Sequence, residues 1–98
     1  MKLRWFWLDD IRPAPYNFMI SVRDYRSMIN IINMCDDYDI PFAIHFDHDL
    51  GETKSGYDVA KYIVENQIPM KVFGVHSMNP VGTENIRDLL THYGYIEK

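Results

Sequence analysis

The sequence predicts an α/β fold built on a small, mostly parallel sheet. Short aromatic or β-branched runs alternate with segments whose apolar residues recur at a helical period. Turn residues separate the two kinds of segment. The chain has 98 residues, 47% of them hydrophobic, which is enough for one domain with one core. Residues 1–98 are therefore expected to form a single domain. Strand-helix-strand alternation implies right-handed crossovers, with helices packed on the sheet.

Leu3 to Leu8 is aromatic-rich and ends at Asp9-Asp10, so it reads as a strand buried on both faces, with its tryptophans in the core. Ile11 to Asn17 holds Pro13 and Pro15 and must be loop. Phe18 to Val22 is a short second strand, running in either direction after so short a connection. Ser21 is expected to cap the first helix, with Asp24 closing a capping box. Tyr25, Met28, Ile29, Ile32 and Cys35 then follow the helical period, and Asp36-Asp37-Tyr38-Asp39 ends it, because acids oppose the negative end of the helix dipole.

Phe42 to Phe46 is the third strand. Ser55 and Asp58 form a capping box for a helix that buries Val59, Ala60 and Ile63. Lys71 to Val75 is the fourth strand. Asn79 is an N-cap with Pro80 at the first helical position; Ile86, Leu89, Leu90 and Tyr93 form the apolar stripe, and Gly94 is the stop. Tyr95 to Lys98 is either a short edge strand or a frayed tail. The first strand is expected in the middle of the sheet, flanked by the third, with the fourth beyond.

Composition narrows the function. Fourteen acidic against ten basic side chains give a formal charge of −4, and the basic residues are scattered, which argues against duplex DNA binding. The apolar run at the N-terminus is too short for a membrane span or a signal peptide. A single cysteine cannot form an internal disulfide and fits a reducing compartment, so a cytoplasmic protein is expected.

Three strands end in polar clusters: Asp9-Asp10, Asp47-His48-Asp49 and His76-Ser77. Each alone has a plain reading as turn or cap chemistry. In a parallel sheet all three fall on one edge, where ligands of open α/β sheets bind. Converging carboxylates repel, and a divalent cation, Mg²⁺ before Mn²⁺, relieves that repulsion and attracts phosphate oxygens. His45, inside the third strand, reads as a satisfied core or rim histidine, and His92 as a surface residue.

Trp7-Leu8-Asp9-Asp10-Ile11-Arg12-Pro13-Ala14-Pro15, Asp47-His48-Asp49-Leu50-Gly51-Glu52, Gly56-Tyr57-Asp58-Val59-Ala60 and His76-Ser77-Met78-Asn79-Pro80 together resemble the cyclic-phosphate processing receiver domain family of bacteria and their phages. The resemblance implies a single receiver-like, flavodoxin-like, three-layer domain that lacks the first and last receiver helices. It implies a bacterial cell or a phage-infected host. By likeness to receivers, Asp9, Asp10 and Asp47 are implied metal ligands. Ser77 and Lys98 match the hydroxyl residue after strand four and the lysine that ends strand five. Asp49 and His76 are extra polar groups beside the position that receivers phosphorylate.

Two readings of different classes follow. One is a metal-assisted phosphoesterase acting on a cyclic phosphate, either a 2′,3′-cyclic RNA end or a cyclic nucleotide. Asp47, Asp49, His48 and His76 would carry the chemistry, and Arg12, Ser77, Asn79 and Lys98 the phosphate. The other is a non-catalytic receiver-like module that binds a protein partner or senses a phosphate ligand. The density of acid-base groups favours the first, since a pure docking module has no need of them.

Overall fold

The computed structural model describes residues 2–98. Seven elements follow in the order β1 (Arg4–Leu8), β2 (Met19–Val22), α1 (Tyr25–Asp37), β3 (Phe42–Phe46), α2 (Gly56–Glu65), β4 (Val72–Val75) and α3 (Pro80–His92). The sheet order is β2-β1-β3-β4 and every pairing is parallel. β2, whose direction the sequence left open, is thus parallel to β1 although no helix joins them.

The pleat assigns each strand residue to a face. Phe6, Leu8, Phe42, Ile44, Phe46, Phe73 and Val22 point one way and are sealed against Met28, Ile32, Val59, Ile63, Ile86 and Leu90 of the helices. Burying each such large side chain contributes roughly 1.5–3 kcal/mol before entropic costs. The helices pack in the row α1-α2-α3. They share one face because successive right-handed crossovers step in one direction along the sheet. Two layers therefore stand where three were expected. Trp5 and Trp7 alternate with the buried residues of β1 and lie on the helix-free face, half-buried, rather than in the core.

Local chemistry sets the helix ends. The Ser21 cap is corrected: Ser21 lies within β2, where its hydroxyl accepts a hydrogen bond from Ala14 N at 2.9 Å. β2 stays extended because Val22 O still accepts a ladder bond from Asp9 N at 3.0 Å. Asp24 is the N-cap instead, its carboxylate accepting from Ser27 N at 2.8 Å. The Ser55–Asp58 capping box and the Asn79 cap with Pro80 form as expected. Tyr93 is the exposed C-cap of α3 rather than part of its buried stripe. The tail forms a single parallel bridge, Glu97 to Phe73, and bidentate bonds from Arg87 to Glu97 at 2.7 and 2.8 Å fasten it.

Candidate metal and phosphate site

One ladder step beyond each strand end fixes the site. Asp9 N donates to Val22 O, Asp47 N to Leu8 O and His76 N to Phe46 O, at 3.0, 3.0 and 2.8 Å. The pairing thus continues past β1, β3 and β4 and sets the three residues side by side. Alternation then points all three to the helix-free face, two residues beyond Trp7, His45 and Gly74. Asp9 is 1% and Asp47 6% exposed. Asp9, Asp47 and His76 each offer a ligand atom, all within 4.8 Å of one another.

Asp9 is a hub. Its Oδ1 accepts from Ile11 N at 2.9 Å and Arg12 N at 2.8 Å; its Oδ2 accepts from Arg12 Nε at 3.1 Å and His76 Nε2 at 3.0 Å. Burial alone would raise its pKa, but these donors and the Arg12 charge outweigh burial and hold it below the ordinary carboxylate value. Asp47 goes the other way. Burial is the main cause and the Asp9 charge adds to it, against a hydrogen bond from Ser77 and the charge of Arg12, so its pKa is raised. The Arg12 guanidinium approaches both carboxylates, with Nη2 4.0 Å from Asp47 Oδ2. It is the cation this chain itself supplies to the pair.

His76 is held from three sides. Its ring stacks on Trp7 at 3.6 Å and 6°, Nε2 meets Asp9, and Nδ1 lies 2.8 Å from His45 Nδ1. Burial and the neighbouring His45 push its pKa down to about 4 against the pull of Asp9, so it is neutral at pH 7. Ionised Asp9 only accepts, so His76 carries its proton on Nε2 and its Nδ1 accepts from His45 Nδ1–H. Burial also lowers the pKa of His45. The His45 ring fits because β4 offers Gly74 beside it: a Cβ there would stand 2.5 Å from His45 Cδ2.

Asp9, Asp10, Arg12, Asp47, Asp49 and Ser77 line one hollow, closed by Ile11, Gly51 and Met78. Asp10 sits at the Gly51 turn, outside the Asp9–Asp47–His76 group. Asp49 is 67% exposed; it accepts from His48 Nδ1 at 3.0 Å and Asn79 Nδ2 at 3.4 Å, and the His48 bond is the main cause of its lowered pKa. His48 packs over Gly82 on the first turn of α3, and Asn79 caps that helix through Gly82 N at 2.9 Å. Both stand behind Asp49 rather than in the hollow. Lys98 is not brought to the hollow: the tail follows β4, with Lys98 N donating to Phe73 O at 2.8 Å. His45, expected as a satisfied core or rim histidine, is half-buried and hydrogen-bonds His76, which brings it beside the site. The signal for it was parity, since it stands two residues before Asp47 in the same strand.

Buried carboxylates, one with a raised pKa, beside an imidazole nitrogen form a donor set that fits a divalent cation. Among the described residues, no helix is long and apolar enough to cross a membrane. Residues 4–92 match the family described as Cyclic-phosphate processing Receiver domain. No curated protein and no solved structure matches the chain.

Proposed function

From the premise that the chain belongs to the cyclic-phosphate processing receiver domain family, we propose that the hollow binds a cyclic phosphate ester beside a divalent cation, Mg²⁺ or Mn²⁺, and hydrolyses it. The substrate classes are a 2′,3′-cyclic RNA end and a cyclic nucleotide. The observation that carries the reading is the convergence of buried Asp9 and Asp47 with His76, the two acids also lining a hollow with Arg12, Asp49 and Ser77. A structural ion pair needs no such surplus of acids.

Asp9, Asp47 and His76 would hold the cation, which when bound supplies a Lewis acid for charge on the phosphoryl oxygens. Arg12, half-exposed on its Asp9 anchor, offers its remaining N–H groups to a phosphate oxygen. The Ser77 hydroxyl lies within the same hollow. Asp49 is kept ionised by His48 and Asn79 and takes the proton of the attacking water. Water oxygen bonds to phosphorus, one ester P–O bond breaks, and the released sugar oxygen takes up a proton from solvent. His76 Nε2 donates to Asp9 and Nδ1 meets His45, so Nε2 would have to give up its proton to hold the cation, and neither nitrogen is free for the leaving group.

The test is incubation of the full chain with RNA ending in a 2′,3′-cyclic phosphate, with and without Mg²⁺ or Mn²⁺, reading the phosphate end group. Metal-dependent opening to a monoester is expected, with Asp49→Asn about 10²-fold slower. An intact substrate that still raises the melting temperature would replace the esterase with the second reading, a phosphate-sensing module. An intact substrate with no shift would overturn both.

A further inference from the structure

The hydrogen bond between His45 and His76 joins two Nδ1 atoms, 2.8 Å apart. A hydrogen bond between two ring nitrogens needs one to donate and the other to accept, and either imidazole can take either part. With His45 donating, His76 keeps its proton on Nε2 and offers it to Asp9. With His76 donating, Nε2 is left with a lone pair that faces Asp9 and Asp47. A carboxylate in the place of His45 could only accept and a lysine could only donate. Histidine does both without changing the charge of a half-buried site.

We propose that His45 is a positioning residue that lets His76 change tautomer and present Nε2 to the cation, making a centre of two carboxylates and one imidazole that selects Mn²⁺ over Mg²⁺. This rests on the cation reading above. The exchange balances: the His45 Nδ1 proton crosses to His76 Nδ1, His45 Nε2 takes a proton from solvent, and His76 Nε2 releases one to solvent. No net proton is taken up. The rings need not move for it, since Trp7 stacks on His76 at 3.6 Å and on His45 at 5.1 Å. Such outer partners fix the orientation of a ligating histidine and raise its basicity. An imidazole ligand favours transition-series cations, whereas Mg²⁺ prefers oxygen alone.

The experiment uses the full chain. Calorimetric titration with Mn²⁺ and with Mg²⁺ gives the selectivity, and electron spin echo modulation of bound Mn²⁺ reports nitrogen ligands without any variant. Expected are one imidazole nitrogen on Mn²⁺ and Mn²⁺ binding at least about 10-fold tighter than Mg²⁺. His45→Phe keeps a ring against Trp7 but should weaken Mn²⁺ by about 10–100-fold and Mg²⁺ far less. His45→Gln, whose amide oxygen accepts from Nδ1–H, should restore part of the loss. Bound Mn²⁺ without nitrogen coupling, or an unchanged Mn²⁺ to Mg²⁺ ratio in His45→Phe, would overturn the inference and leave the carboxylate site standing. Failure of both cations to bind would overturn the cation reading itself.

Discussion

The two faces of the sheet use the same strands to opposite ends. On the helix-covered face, Phe6, Leu8, Ile44, Phe46 and Phe73 are 0–5% exposed and belong to one apolar cluster with the helices. On the helix-free face the alternate residues, Trp5, Trp7 and His45, are half-buried and lead to Asp9, Asp47 and His76. Stability on the first face comes from apolar area, which is indifferent to pH and ions. The second face is a polar network whose energy depends on where protons and cations sit. A parallel sheet normally covers both faces. Leaving one open lets charged groups reach a ligand while their backbone stays in the ladder.

The largest effect that tests this division lies on the covered face. Phe46→Ala should cost about 3–5 kcal/mol through its cavity. In denaturant unfolding that loss should be the same with and without Mg²⁺; a metal-dependent loss would mean the faces are not separate. Next comes the cation. At a concentration about 100 times its dissociation constant, Mg²⁺ or Mn²⁺ should add about 2.7 kcal/mol to the stability of the wild type. Asp47→Asn should remove most of that gain. Arg12→Gln should increase the affinity several-fold, because the guanidinium competes for the same oxygens; a weaker cation in Arg12→Gln would show that it supports the centre instead.

A third effect is the pH response of the metal-free protein. His76 is lowered to about 4 in the fold against an ordinary 6.5, so the unfolded chain binds the proton more readily. The stabilisation is complete above pH about 6.5 and is lost as pH falls toward about 4. The loss should be on the order of 2 kcal/mol, shared with His45, which shifts the same way. Unfolding curves at pH 7, 5 and 4 should show it, and His76→Gln should flatten it. The smallest effect lies in the exposed turn after α2, away from the site. Gln67, just after α2, has φ 53°, a left-handed conformation that glycine adopts freely. Gln67→Gly should stabilise by about 0.5 kcal/mol with no effect on cation binding.

Much of the fold was legible because local signals agreed with one another. Aromatic runs ended at acids, Ser55 and Asp58 marked a helix start, and Asn79-Pro80 marked another. The convergence of Asp9 and Asp47 followed from their place at the ends of parallel strands. What could not be read depended on partners distant in sequence. Ser21 and Asp24 both look like caps, and only the ladder bond from Asp9 to Val22 decides between them. His45 reads as core or rim alike until Gly74 is set beside it and His76 beyond it. The tryptophans look like core because an unpartnered sheet face leaves no mark within one strand. Lys98 matched a receiver ending, yet the tail lies along β4 with only one bridge and does not enter the hollow.

The ladder bonds that extend the pairing one step past β1, β3 and β4 have a consequence for how such a chain can change length. A side chain's face depends on whether its distance along the strand is odd or even. Deleting one residue within β3, with Phe42 held in the core, would turn Asp47 toward the helices and Phe46 away from them, and would be as damaging as losing the acid. Deleting two would restore its direction but draw it back by roughly 6–7 Å along the strand. Length variation is therefore confined to the loops that precede each strand. The ten residues between β1 and β2 can lengthen or shorten only where Asp9, Ile11 and Arg12 keep their turn.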